Sequence, residues 1–268
     1  MMPTLAYAVT DSRIMLRRNL RRLVKYPMLT VMLLGLPVVF LLLFVFVFGG
    51  QLGAGMTTAS GITGREAYLD YVVPGIILVT VASAVQGSAI VVAMDMTSGI
   101  INRFRTMDIG RSSVLVGHVL ASLIQALISI AIVLLVAVAL GYRPTANPFG
   151  WLGALGVTVM FSIALIWLAI YLGLAADSVE TASNSPMFLT IMPFLSTGFV
   201  PADSLPVGVR QFAEHQPFTP VIEVLRGTLG DTPVPAGSVI ASIAWSVGIG
   251  GVSYLLALRT YERRAITA

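Results

Sequence analysis

Cysteine is absent from this 268-residue chain, histidine occurs twice and lysine once. Without cysteine there is no disulfide, no thiolate nucleophile and no cysteine metal site. Charged side chains make up only 10% of the residues, against about a quarter in an ordinary soluble domain. No Gly-rich loop ends in Lys-Ser or Lys-Thr, so the chain lacks the usual cradle for nucleotide phosphates. Long polar stretches are also missing, which leaves no room for a sizeable aqueous domain. Chemistry that needs one must come from another chain.

Apolar runs fill the space instead: 57% of the residues are hydrophobic and the mean hydropathy is +0.91. A hydrocarbon core of ~30 Å takes ~20 apolar residues to cross as a helix. Six stretches approach or exceed that length: 28–48, 72–94, 114–140, 151–176, 185–200 and 239–258. The basic start, the length of the first run and the five runs after it speak against a secretory signal, so 28–48 reads as a retained span. Alternating crossings put Arg13, Arg17, Arg18, Arg21, Arg22, Lys25, Arg103, Arg105, Arg111, Arg259, Arg263 and Arg264 on one face. Arg65, Arg143, Arg210 and Arg226 fall on the other. Cation excess in short loops marks the cytoplasmic side, so both termini are expected there. The net charge of +4 then suits anionic lipid headgroups rather than nucleic acid.

The expected fold is all-α and membrane-integral, with 1–268 as one transmembrane domain. Residues 4–25 have a helical period, with Leu5, Val9, Leu16, Leu20 and Leu23 opposite Arg13, Arg17, Arg18, Arg21, Arg22 and Lys25. That pattern describes a helix lying in the membrane interface before Pro27 turns the chain. It is either a topology anchor or a lever for a cytoplasmic partner.

Span two carries Thr80, Ser83, Gln86 and Ser88, and span three carries Ser122, Gln125 and Ser129. Two readings of Gln86 and Gln125 stay open: helix-to-helix hydrogen bonding, or a place on a translocation path with Thr80 and Ser83. No Asp, Glu, Lys or Arg lies within a span core, which weakens ion-coupled transport. Between spans two and three, Ile100, Ile101, Phe104 and Met107 form a short apolar face beside Asn102, Arg103, Arg105 and Asp108. Gly99 and Gly110 bracket it, so a short amphipathic helix at 97–109 is expected, either a connector or a plug for a soluble partner.

The fifth run is short, contains Pro186 and Pro193, and leads into a partly apolar segment at 202–235. A hairpin re-entering from the outer side is expected there, with an external cap as the alternative. In the last span Ser238, Ser242, Ser246 and Gly250 form a small-residue stripe for close packing.

Several of these motifs together resemble the ABC-2 type permeases, in particular the daunorubicin-resistance type of actinobacteria. The resemblance rests on Ile100 to Met107 with Arg111 to Gly117, and on Ser196 to Pro201 with Leu205 and Pro206. His215 to Pro220, Glu223 to Arg226 and the basic start through Pro27 complete it. It implies a half-transporter in the bacterial plasma membrane, paired with an identical or paralogous permease and a separate ABC ATPase. ATP and Mg would reside on that ATPase, with no cofactor and no metal on this chain. The family's ATPase-coupling contacts map to Gly99, Asn102, Arg103, Phe104 and Arg105. Asp108 replaces a common proline at the helix end. Phe199 and Pro201, with Pro217 to Arg226, map to the outer gate. The cargo is expected to be a drug, lipid or other amphipath.

Two other classes fit the sequence less well. A lipid-modifying enzyme would need a catalytic constellation, but His118 and His215 fall on opposite sides and Asp177 with Glu180 reads as a solvated pair. An ATP-independent transporter or channel lacks intramembrane charges for proton coupling.

Overall fold

The computed structural model describes residues 27–58, 61–97, 111–230 and 232–267. The expected interface helix at 4–25, with Arg17, Arg18, Arg21, Arg22 and Lys25, lies outside them. So does the expected coupling helix apart from its first residue, and with it Gly99, Asn102, Arg103, Phe104, Arg105 and Asp108. Among the described residues the chain is helical, with a single isolated bridge between Thr57 and Thr63 and no strand.

Five helical stretches have the length and composition to cross a bilayer: Leu33–Leu52, Gly64–Met96, Leu115–Ala139, Pro148–Ala175 and Ala236–Tyr261. They coincide with five of the six expected runs. The first is α1 (Pro27–Leu42), then a π-helical stretch (Leu43–Phe48) and α2 (Gly49–Leu52). Pro37 sits inside α1 and withholds one backbone donor, yet the apolar run carries the helix on to Leu52.

The second, α3 (Gly64–Thr97), is 34 residues long. It begins eight residues before the expected span of 72–94. Next come α4 (Arg111–Ala139) and α5 (Pro148–Ala175). Gly141, at φ +110°, reverses the chain after α4 in a conformation that a side chain would strain. Asn147 then caps α5 by accepting a 2.7 Å bond from the Gly150 N–H, and Pro148 occupies the first turn, where its missing donor costs nothing.

The fifth run is not one helix. It consists of α6 (Val179–Asn184), α7 (Met187–Ile191) and a 3-10 turn (Met192–Leu195). Pro186 and Pro193 stand at the two breaks, where a missing N–H and a ring clash end each helical piece. Beyond lie α8 (Val207–His215), α9 (Phe218–Leu229) and the long α10 (Ala236–Thr267).

Helix α3 is the hub. It is buried along most of its length and touches α1, α4, α5, α6, α7 and α9. The first crossing and α10 lie at the periphery and turn Phe46, Val47, Ile240, Val247 and Val252 outward. Outward apolar faces of this kind are solvated by lipid, since acyl chains are as apolar as the side chains they meet. The stripe of Ser238, Ser242 and Ser246 is buried, and Gly250 lies against Ala164 of α5. Small residues there let the α5 and α10 backbones approach, with Trp167 and Tyr254 locked edge to face at 4.8 Å.

Candidate functional site

The broken fifth segment is pinned to α3 at three levels. Gln86 Nε2 donates to the Ser183 carbonyl at 2.9 Å, the Tyr71 hydroxyl to that of Thr197 at 2.7 Å, and the Tyr68 hydroxyl to that of Phe199 at 3.1 Å. Residues 183 to 199 thus run antiparallel to α3 from Gln86 to Tyr68, a rise of ~27 Å at 1.5 Å per residue. Irregular backbone leaves carbonyls unpaired, and three α3 side chains satisfy them. The close approach needs glycine on both sides: a Cβ on Gly75 would sit 3.0 Å from the Gly198 carbonyl oxygen.

An aromatic cluster binds the same segment to the first crossing. Phe194 stacks on Phe199 with ring centroids 4.8 Å apart, Phe44 lies 4.6 Å from Phe199, and Phe40 lies 4.7 Å from Phe194. Each such pair contributes ~0.5–1.5 kcal/mol beyond burial.

Helix α9 is inserted between α3, α5 and α10. Its first residue, Phe218, meets Phe161 edge to face at 5.1 Å, ~20 Å along α5 from Pro148. Its far end returns to the start of α5, where the Thr228 carbonyl packs on Gly150 and the Leu229 carbonyl accepts from the Thr145 N–H. Helix α8 precedes it with an outward face of Val207, Val209 and Phe212, beside Arg210 paired to Asp203 and Glu214.

Arg226 on α9 reaches α3 beside Pro74. Pro74 withholds the N–H that the Asp70 carbonyl would use. At the next carbonyl, Tyr71 accepts from Arg226 Nη2 at 3.3 Å, and the Thr197 carbonyl accepts from the same nitrogen at 3.0 Å. The guanidinium carbon sits 3.8 Å over the Tyr71 ring, a cation–π contact strengthened by low solvation. Arg226 Nε is buried without a hydrogen-bond partner among the described residues. Beside it opens a cavity of about 450 Å³, lined among others by Asp70, Tyr71, Tyr142, Arg143 and Pro201. Burial, and then the Asp70 carboxylate, push the Tyr142 phenol above its usual range, so it stays protonated.

The residues expected at an outer gate therefore divide. Pro201 and Arg226 line the cavity, Phe199 belongs to the aromatic cluster, and Pro217 stands at the opposite end of α9. Along α3, Thr80 is buried and bonds back to the Ile76 carbonyl, while the Ser83 hydroxyl is buried with no partner among the described residues. Gln86 is engaged by Ser183, and Gln125 is buried on α4. In this conformation these four face protein rather than an open channel.

At the opposite end of the bundle, His118 on α4 faces Asp95 on α3 with both side chains buried. Glu180 nearby is exposed, and its carboxyl is held below the usual range by its own backbone N–H and the Ser178 hydroxyl. The sequence distinguishes His118 only as lying on the side opposite His215; its pairing with Asp95 is not legible there. The Arg226–Tyr71 contact was equally hidden, because 155 residues separate the pair.

The family model for ABC-2 type transporters matches residues 10–229. The chain is 25% identical over 267 residues to the daunorubicin resistance ABC transporter permease protein DrrB1 of Streptomyces coeruleorubidus, covering 98% of this chain and 89% of that one. It is 28% identical over 218 residues to the probable doxorubicin resistance ABC transporter permease protein DrrC of Mycobacterium tuberculosis, covering 80% and 74% respectively.

Proposed function

The chain belongs to the ABC-2 type transporter family, and from that premise we propose that it is the membrane-spanning permease of an exporter for an amphipathic drug or lipid. A separately encoded ATPase supplies the energy. A second permease, identical or paralogous, completes the path. Both termini lie in the cytoplasm of the bacterial cell, on the side of the cation-rich segments.

One observation carries the reading furthest. Residues 183–199 follow α3 over ~27 Å, nearly a bilayer core, without forming a continuous helix. This supports a sixth crossing made of short turns, which is easier to repack than a rigid rod. The α8–α9 pair, with Phe218 set deep beside Phe161, supports the re-entrant hairpin. Together they form the movable part, and α3 is the rigid spine. ATPase closure would act through 97–109, directly connected to α3, and bias one of two packings of the broken segment.

Co-reconstitution with a separately encoded ABC ATPase tests the reading. Nucleotide-dependent movement of a fluorescent anthracycline or a labelled lipid is expected, abolished by joint R103E and R105E with membrane insertion intact. Transport that persists without any ATPase would overturn it.

A further inference from the structure

The cavity at the α9 end of α3 combines features that a simple packing defect lacks. Arg226 brings a guanidinium whose ring contact and two carbonyl bonds leave Nε buried and, among the described residues, unpartnered. Carbonyls hold that charge, and Glu223 on the same helix, whose carboxylate also accepts from the Ser238 hydroxyl, offsets part of it. A buried cation gains most from a desolvated anion with matching oxygens. Arg143 stands on the same wall, its Nη1 donating to the Val138 and Tyr142 carbonyls. Those bonds orient its remaining donors. The same cavity also contains a carboxylate, Asp70, and the rings of Tyr71 and Tyr142. Guanidinium groups and a carboxylate among aromatic faces match a ligand of both signs.

Depth narrows the choice. Residues 72–94 of α3 carry no charged side chain, and Asp70 with Tyr71 sit directly at the edge of that run. Aromatic and charged residues in that position meet lipid headgroups rather than acyl chains. A volume of about 450 Å³ suits a small polar group rather than an entire amphipathic drug.

We propose that this cavity binds a zwitterionic phosphate–ammonium headgroup, the phosphate on Arg226 and Arg143 and the ammonium on Asp70 between the two tyrosine rings. Its source is a phospholipid of the surrounding leaflet or a soluble phosphoester of the same chemistry. Occupancy would fasten α9 to α3 and the α4–α5 loop, so the headgroup would steady the hairpin proposed to move.

The full-length protein, purified in detergent, is incubated with dioleoylphosphatidylethanolamine or dioleoylphosphatidylglycerol, and bound lipid is counted by native mass spectrometry. Wild type is expected to retain the ethanolamine lipid about tenfold better. D70N should erase that preference, while R143Q should reduce retention of both lipids several-fold. R226Q should reduce it further, but Arg226 also ties α9 to α3, so D70N and R143Q, with wild-type melting temperatures, carry the test. Equal retention of the two lipids by wild type, or unchanged retention in D70N and R143Q, would overturn the proposal. Displacement by soluble O-phosphorylethanolamine supports the site and assigns it to a free phosphoester. Retention of lipid despite that competitor supports it and assigns it to the bilayer. The measurement needs neither nucleotide nor transport, so its outcome is separate from that of the exporter reading.

Discussion

His118 Nε2 lies 3.4 Å from Asp95 Oδ2, where α3 and α4 approach each other on either side of residues 98–110. Both side chains are buried. The pair therefore sets the spacing of the two helices that enter and leave that connection. Any force delivered to the connection must pass through them.

His118→Ala should leave Asp95 short of one buried partner, at a cost of ~1–3 kcal/mol. A melting temperature lowered by several degrees in detergent is the expected result. In the reconstituted transporter, transport per ATP hydrolysed should fall more than ATP hydrolysis itself. A melting curve that superposes on wild type would show that the pair carries no structural load.

Glycine contacts give a paired prediction. A Cβ on Gly173 would lie 2.6 Å from the Ala89 carbonyl oxygen, whereas nothing lies within 4 Å of one on Gly156, on the same helix. Gly173→Ala must push α5 from α3 and should destabilise by ~1–3 kcal/mol. Gly156→Ala should be neutral or stabilising by up to ~1 kcal/mol through helix propensity alone. Thermal unfolding of the two variants side by side checks the sign of each.

The absence of cysteine makes crossing directly testable. Single variants Ser178→Cys and Ser204→Cys bracket the broken segment and lie on accessible turns. A membrane-impermeant maleimide should label position 204 in intact cells and position 178 only in inverted vesicles. Labelling of both from the same side would remove the sixth crossing.

Phe199→Ala should cost ~3 kcal/mol or more by deleting a buried ring that meets both Phe194 and Phe44. Phe199→Leu, which keeps most of the volume, should cost about half as much or less. Equal unfolding temperatures for wild type and the alanine variant would rule out the aromatic cluster as the clasp between the first crossing and the broken segment.

Five of the six expected runs appear as long helices because sustained apolarity leaves a chain in lipid no other way to satisfy its backbone. Pro186 and Pro193 likewise announced that 185–200 could not be an ordinary rod, and it is not one. The boundaries were less legible. Helix α3 begins at Gly64 rather than near Val72, because Glu66, Asp70 and the tyrosines lower local hydropathy without opposing helix formation. Gln86 was visible as an amide in need of a partner. That its partner is the Ser183 carbonyl was not, since any exposed carbonyl on any neighbour would have served.

Hydropathy and proline positions are one-dimensional properties, and they were enough to expect long apolar helices interrupted by one irregular passage. Tertiary structure alone decided which groups that passage leans on. Arg226 meets Tyr71, His118 meets Asp95 and Gly75 meets Gly198 because helices of fixed pitch were brought side by side in a particular register. No periodicity within a single helix encodes that register; it is fixed by the packing of ridges, small residues and unpaired carbonyls between helices.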